Sequence, residues 1–190
     1  MAWDKGFNFR ETAGFVTDGA NETYAICSAE TYPTTRNSVT FGVENVFGWS
    51  TRDRLDTNDR RLAGVNWRSD KGLFRVDLEA ADDYVIDLAY GDPSGGANNP
   101  DSKIYDNTTV LATIGPTTNG SGEFVDASGV NRTSAALWVS NRVTIQHTFA
   151  TTTFFVSVSE AASALSPLAH LFLSRVAAAG QTDFFMRRRG

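Results

Sequence analysis

The chain has 190 residues and a single cysteine, Cys27, so no intrachain disulfide can hold its fold together. The formal net charge is −5, and because three arginines, Arg187, Arg188 and Arg189, lie at the C-terminal end, the rest of the chain is more acidic still. An acidic body repels a phosphate backbone, and we therefore expect no nucleic-acid binding.

Short alternating apolar segments start near the N-terminus and predict β-strands separated by Gly, Asp, Asn and Thr turns. The first of these segments are residues 7–9, 14–16, 23–27 and 39–42. The N-terminal residues contain no apolar run that resembles a signal peptide, and no later stretch approaches the length of a membrane span. We therefore expect folding in a cytosol without membrane insertion. The polar, charged segment between Gly48 and Val65 is interpreted as a surface loop.

The strongest pattern in the chain lies in residues 72–93, where two alternating segments flank a short polar turn that holds Asp82 and Asp83. The pattern predicts a β-hairpin. The side chains expected on its apolar face are Phe74, Val76 and Leu78 in the first strand and Tyr84, Ile86, Leu88 and Tyr90 in the second.

The C-terminal half contains further strand patterns and one helical candidate. Loops are predicted at residues 93–101 and 116–122, and a turn at Asn107–Thr108. A helical turn is predicted at residues 159–165, where Pro167 ends it. The predicted strands are residues 103–106, 110–114, 123–127, 135–139, 142–149, 153–158 and 168–176. For residues 168–176 a short helix is the alternative, and the strand is favoured because it would close a sheet of the sandwich.

These elements predict the fold class and the domain organisation. About twelve short strands with long loops indicate an all-β fold, a two-sheet antiparallel jelly-roll β-sandwich. A parallel α/β fold is excluded because it needs a helix after most of its strands. We predict one domain over residues 1–180 and an arginine-rich tail over residues 181–190.

A series of short motifs, most of them in the first half of the chain, resembles the galactose-binding-like, malectin-like β-sandwich modules found beside bacterial polysaccharide-degrading enzymes. In that pattern an aromatic-Gly-Trp segment precedes an Arg/Asp loop, and a Phe-x-Val-Asp-Leu hairpin ends in Gly-Asp. The matching segments are Phe7-Asn-Phe9, Phe47-Gly-Trp49, Arg52-Asp-Arg54, Phe74-Arg-Val-Asp-Leu78 and Tyr90-Gly-Asp92. The resemblance implies a β-sandwich that binds glycans through loop aromatics and carries a structural calcium ion.

Glycan binding needs an exposed aromatic surface flanked by polar groups. The candidate residues are Trp49, Arg52, Asp53, Trp67 and Tyr90, with Tyr105 and Trp138 as further aromatics. Aromatic side chains of a sandwich are also common core residues, and this alternative stays open.

Calcium prefers oxygen ligands on loops. The candidate ligands are Asp92, Asn98 and Asp101, and the groups Asp18 with Asn21 and Asp56 with Asn58 and Asp59 are alternatives. Asp and Asn are also the ordinary turn residues of β-proteins, so the pattern leaves both interpretations open.

We expect no enzymatic activity. The two histidines, His147 and His170, lie in apolar strands and are interpreted as core or interface residues, and no catalytic motif accompanies them. The paired acids of the loops, such as Asp82 and Asp83, stand near arginines, which favour ionised carboxylates rather than a general acid.

The expected absence of export and the terminal arginines together predict a phage virion protein. In this hypothesis the protein is a capsid decoration or tail component, assembled in many copies in the host cytoplasm and displayed on the virion surface. The residues that would anchor it to other virion proteins are Phe184, Phe185, Arg187, Arg188 and Arg189. Its loops would contact host-surface glycans. The alternative is a stand-alone carbohydrate-binding module of a bacterial polysaccharide-utilising system.

Overall fold

The computed structural model describes residues 3–9, 16–18, 22–26, 30–44, 49–53, 64–68, 71–92, 102–114, 123–125, 131–133, 142–160 and 167–177. Every regular element within these ranges is a β-strand, and none of their residues belongs to a helix that could cross a membrane. In chain order the strands are β1 (Asp4–Asn8), β2 (Val16–Asp18), β3 (Glu22–Ile26), β4 (Thr34–Arg36), β5 (Val39–Val43), β6 (Trp49–Asp53), β7 (Gly64–Arg68), β8 (Gly72–Asp77), β9 (Asp83–Gly91), β10 (Ser102–Asp106), β11 (Thr109–Ile114), β12 (Glu123–Val125), β13 (Asn131–Thr133), β14 (Val143–Thr148), β15 (Thr153–Ser159) and β16 (Leu168–Arg175).

The strands form two sheets. The larger sheet contains ten of the described strands, and its main path runs β13-β12-β9-β16-β1-β3-β2. β14 also pairs with β9, and the ribbon of β6 and β7 joins this sheet at β16. The smaller sheet contains six strands in the order β11-β10-β15-β8-β5-β4. Pairing between the described strands is antiparallel, except that β1 and β3 run parallel.

The two sheets pack face to face through aromatic side chains. The ring of Phe7 on β1 lies 5.2 Å from that of Phe41 on β5 and 5.4 Å from that of Phe74 on β8. Phe149, which follows β14 of the larger sheet, lies 6.0 Å from the ring of Phe154 on β15 of the smaller sheet. Such ring pairs contribute about 0.5–1.5 kcal/mol each beyond their burial. The prediction of an all-β fold with two antiparallel sheets in a sandwich is confirmed.

The two strands that were expected to form a hairpin lie in different sheets. β8 pairs with β5 and β15 in the smaller sheet, whereas β9 pairs with β14 and β16 in the larger one. The buried faces are as predicted, because Phe74, Val76, Tyr84 and Ile86 are fully buried. The predicted β-hairpin is nevertheless wrong, since residues 78–82 cross from one sheet to the other. A crossing and a hairpin both put these side chains in one core, so alternation alone cannot separate them.

Other predicted elements have mixed outcomes. The strands at residues 103–106 and 110–114 are confirmed as the hairpin of β10 and β11, with Asn107 of its turn at a φ of 52°. The final strand is confirmed as β16. The predicted strand at residues 135–139 and most of the predicted helical turn at 159–165 lie outside the described residues.

The segment interpreted as a loop after Gly48 begins with a strand. Residues 49–53 form β6, which pairs along its whole length with β7, so the loop interpretation is wrong for this part. Backbone pairing with β7 is available to polar and apolar residues alike, which is why charge composition misled here. β4 was also missed. It pairs with β5 across a turn in which Asn37 and Ser38 have φ values of 49° and 60°, as a tight hairpin turn requires.

Candidate functional site

A cleft of about 400 Å³ opens where β1 of the larger sheet faces the hairpin of β4 and β5 and the end of β8. We call it the end cleft. Its volume lies in the range of about 300–1,000 Å³ that is typical of small-ligand sites. The lining residues are Trp3, Lys5, Ser38, Thr40, Asp77, Leu78 and Glu79.

The larger sheet contributes an aromatic ring and a cation to the cleft. Trp3 precedes β1, is 8% exposed and packs edge to face against Tyr84 with ring centroids 5.5 Å apart. The ammonium of Lys5 lies 5.9 Å from the centre of the Trp3 ring and donates a 2.6 Å hydrogen bond to the carbonyl oxygen of Asn37. Lys5 therefore links β1 to the turn between β4 and β5 across the mouth of the cleft.

Asp77, the last residue of β8, is held from two sides. Its Oδ2 accepts a 2.9 Å hydrogen bond from the hydroxyl of Tyr32, and its Oδ1 accepts one of 2.9 Å from Nε of Arg75. Burial and then the hydrogen bond to Asp77 raise the pKa of Tyr32, so its hydroxyl remains a donor at neutral pH. A carboxylate offers about four acceptor positions, which leaves room for donors from a ligand.

Glu79, on the other wall of the cleft, is bound by an arginine of β16. Its Oε2 accepts a 3.1 Å hydrogen bond from Arg175, whose Nε donates a 2.8 Å bond to Asp82. The hydrogen bond from Arg175 and then that from the backbone of Asp83 lower the pKa of Asp82. Asp82 is therefore paired with an arginine that favours its ionised form.

Gly42 on β5 creates the space that lets Tyr32 reach Asp77. Its φ is +147°, and a Cβ added there would lie 2.4 Å from the backbone nitrogen of Tyr32. The Tyr32 nitrogen instead donates a 3.0 Å hydrogen bond to the carbonyl oxygen of Val43. The guanidinium of Arg75 then stacks 4.1 Å from the centre of the Tyr32 ring and 5.7 Å from that of Phe155. Only glycine allows this close approach of the two backbone segments.

Four of the predicted glycan-binding residues lie on the paired strands β6 and β7. Trp49 pairs with Arg68 and Ser50 with Trp67. Arg52 pairs with Val65 and Asp53 with Gly64. Trp49 is half-buried against the core.

Tyr90, the fifth predicted glycan-binding residue, is fully buried. Its hydroxyl donates a 3.2 Å hydrogen bond to the carbonyl oxygen of Ser157, and burial raises its pKa. The core alternative is therefore correct for Tyr90, which has no surface to offer a ligand. Tyr105 is 8% exposed and accepts a 2.9 Å hydrogen bond from Lys71 on the outer face of the smaller sheet. Trp138 lies outside the described residues.

The predicted calcium ligands are only partly described. Asp92 follows β9 and is 5% exposed, while Asn98 and Asp101 lie outside the described residues. Among the residues with known placement, no group of three or more His, Cys, Asp or Glu side chains is arranged to hold a metal ion. The calcium site at Asp92, Asn98 and Asp101 stays a prediction.

The two histidines lie in the larger sheet and do not line the end cleft. His170 on β16 is fully buried, as expected of a core residue. His147 on β14 is half-buried and packs edge to face against Phe149 at 5.7 Å.

The predicted anchor at the C-terminal end falls outside the part of the chain that the structure describes. Its residues are Phe184, Phe185, Arg187, Arg188 and Arg189. Their role in attachment to other virion proteins stays a prediction.

Sequence patterns gave no hint of the end cleft. Its lining comes from residues 3–5, 38–40 and 77–79, three segments that are distant along the chain. Trp3 and Lys5 precede the first alternating segment and carry no motif. The available signal is Asn37-Ser38 between two segments that contain threonine, which is compatible with a tight turn.

Comparisons with known proteins support the fold. No family model matches the chain, and no curated protein matches it in sequence. The structure is similar to that of the protein YxiM from Bacillus subtilis, with a TM-score of 0.53 and 13% identity over 92% of this chain. The chain spans 40% of the length of that structure. A weaker likeness, with a TM-score of 0.38 and 10% identity over 72% of this chain, is to a CBM35 from Paenibacillus barcinonensis, 99% of which is covered.

Proposed function

We propose that this protein is a non-catalytic β-sandwich that binds glycans, and that the end cleft is its binding site. The observation that carries the proposal is the composition of the cleft wall, where an indole, an ammonium, two hydroxyls and two carboxylates surround one space. A sugar ring presents an apolar face together with hydroxyls that both donate and accept hydrogen bonds. The polar side chains of the cleft wall can pair with the hydroxyls, and the apolar contact comes from the small exposed part of Trp3 and from Leu78.

The polar groups of the cleft are held in place before a ligand arrives. Asp77 is oriented by Tyr32 and Arg75, and Glu79 by Arg175. Lys5 is tied to the carbonyl oxygen of Asn37. Side chains that are already ordered lose less rotamer entropy on binding, so a small ligand gains affinity from them. The two carboxylates accept from sugar hydroxyls, and Lys5 donates to them.

The proposal is tested on a printed array of defined glycans, followed by calorimetric titration with a glycan that binds. Lys5→Met and Asp77→Asn each remove a charged hydrogen-bonding group, which contributes about 1.5–3 kcal/mol, so affinity should fall at least about tenfold. The matched control is Lys103→Met, which removes an ammonium that pairs with Glu160 on the outer face of the smaller sheet. The affinity of the Lys103→Met variant for the glycan should equal that of the wild type.

Two outcomes would contradict the proposal. Loss of binding in Trp49→Ala with full binding in Lys5→Met would move the site to the ribbon of β6 and β7. Turnover of a glycoside or glycan ester that carboxylate substitutions abolish would make the protein an enzyme.

A narrower proposal is that this β-sandwich is a component of a phage virion. It is supported by the acidic body and the terminal arginines of the sequence. A virion protein co-purifies with intact particles in many copies, whereas a stand-alone bacterial carbohydrate-binding module binds its glycan as a free protein. Mass spectrometry of gradient-purified particles separates the two.

A further inference from the structure

The two walls of the end cleft carry opposite charges. Lys5 on β1 is the basic residue among the described side chains that line the cleft, and Asp77 and Glu79 supply two carboxylates on the facing wall. The described lining therefore holds one positive and two negative charges. A wall with excess negative charge attracts a cationic group and repels an anionic one.

Asp77 shares its arginine with a second acid. Arg75 donates from Nε to Oδ1 of Asp77 at 2.9 Å and from Nη1 to Oε1 of Glu44 at 3.3 Å. A single guanidinium carries one positive charge, so it offsets only part of the charge of these two carboxylates. Asp77 therefore retains negative charge towards the cleft.

Glu79 shares its arginine in the same way. Arg175 donates from Nη1 to Oε2 of Glu79 at 3.1 Å, but its Nε and Nη2 both donate to Oδ2 of Asp82. These bonds to Asp82 take most of the hydrogen-bonding capacity of the guanidinium. The side chain of Glu79 is 52% exposed, and a carboxylate has about four acceptor positions, so it can accept further donors from a ligand.

Lys5 is bound by groups of its own wall and of the nearby turn. Its ammonium donates a 2.6 Å hydrogen bond to the carbonyl oxygen of Asn37 and lies 5.9 Å from the centre of the Trp3 ring. These contacts hold the ammonium at the mouth of the cleft, facing the carboxylates from the other side. A sugar can therefore present hydroxyls to Lys5 and a cationic group to Asp77 and Glu79 at the same time.

We infer that the glycan bound in the end cleft contains an amino sugar, whose free ammonium group pairs with Asp77 and Glu79. The inference rests on the proposed function, because it names the class of glycan for the same site. An ammonium donates three hydrogen bonds, and a bond between two charged groups is stronger than one from a neutral hydroxyl. N-acetylation removes the charge and leaves one N–H donor, and a uronic acid would add a third carboxylate to the cleft.

Calorimetric titration of the full chain with three β-1,4-linked hexamers tests the inference. The hexamers are those of glucosamine, N-acetylglucosamine and glucose, which differ only in the group at C2. The glucosamine hexamer should bind at least about tenfold more tightly than the other two. An increase in NaCl from about 50 to 500 mM should reduce this preference, because salt screens the charges of a partly exposed site.

Variants of the two carboxylates locate the preference. Asp77→Asn and Glu79→Gln should each lower the ratio of glucosamine to glucose affinity at least about fivefold. Glu79→Gln alters an exposed side chain and should leave thermal unfolding unchanged, so the test holds even if Asp77→Asn destabilises the protein. Asp4→Asn is the matched control, since it removes an exposed carboxylate on β1 that bonds to Ser174 and does not line the cleft. This control should keep the full preference.

Equal affinity for the three hexamers, together with loss of binding in Lys5→Met, would overturn the inference and leave the proposed function intact. A glycan without an amino sugar that binds more tightly in a manner dependent on Lys5, such as an oligomer of glucuronic acid, would do the same. If Asp4→Asn lowers the preference as much as Glu79→Gln does, the attraction comes from the acidic chain as a whole and the inference is wrong. Glycan binding that Lys5→Met leaves unchanged would overturn both proposals.

Discussion

Tyr32 and Asp77 are 45 residues apart in sequence, yet the hydroxyl of Tyr32 donates a 2.9 Å hydrogen bond to Oδ2 of Asp77. The bond joins the segment before β4 to the last residue of β8. It links the aromatic stack around Arg75 to the wall of the end cleft.

Tyr32→Phe should weaken ligand binding although Tyr32 does not line the end cleft. The variant removes one of the two donors that orient Asp77, so the carboxylate gains rotamer freedom. The free energy of unfolding should fall by about 0.5–1.5 kcal/mol, as measured by urea denaturation. Calorimetric titration should show weaker glycan binding. Tyr105→Phe, on the outer face of the same sheet, is the control that should retain full affinity, and equal losses in both variants would contradict the link.

Gly42→Ala adds only one methyl group, yet it should destabilise the protein strongly. The new Cβ would lie 2.4 Å from the backbone nitrogen of Tyr32, at a φ of +147° that other residues rarely adopt. The expected loss is about 1–3 kcal/mol in the free energy of unfolding. Thr152→Ala, at an exposed position, is the control and should change stability by less than about 0.5 kcal/mol. A stable Gly42→Ala variant would mean that residues 31–32 do not pack on β5.

Phe74→Ala should remove the centre of the aromatic core. The Phe74 ring lies 5.4 Å from that of Phe7, 5.0 Å from that of Phe9 and 6.0 Å from that of Phe41. Truncation should cost about 3–5 kcal/mol in guanidinium denaturation. Phe74→Leu keeps most of the apolar volume and should cost less. A Phe74→Leu variant as stable as the wild type would indicate that the ring contacts contribute nothing beyond volume.

Protonation of Asp82 should make the protein less stable in acid. Its pKa is lowered from 3.8, first by the hydrogen bond from Arg175, so the folded state holds the proton less tightly than the unfolded state. The stabilisation is therefore complete above pH 3.8 and is lost as the pH falls through the lower folded pKa. Asp82→Asn should show a shallower loss of thermal stability in this range. An acid limb identical to that of the wild type would contradict the pairing with Arg175.

Local sequence patterns predicted where most strands lie and which of their faces are buried. The alternation of Phe74 and Val76, and of Tyr84 and Ile86, was sufficient because a strand exposes successive side chains to opposite faces. The same alternation carries no information about the partner strand. β8 and β9 therefore appeared to be a hairpin although they belong to different sheets.

For the candidate glycan site, too, local patterns did not indicate which side chains come together in space. Aromatic residues near polar ones in sequence led to Trp49, Trp67 and Tyr90, but Tyr90 is fully buried and Trp49 is half-buried against the core. The end cleft is assembled from segments that only the packing of the sheets brings together.

The sequence by itself determined an all-β chain with inward-facing aromatic residues, because alternation and turn residues act over a few positions. The tertiary structure alone decided which strands pair and that Lys5 and Asp77 line one cleft. These relationships depend on contacts between residues far apart in the chain, where the pattern of one segment does not specify its neighbour.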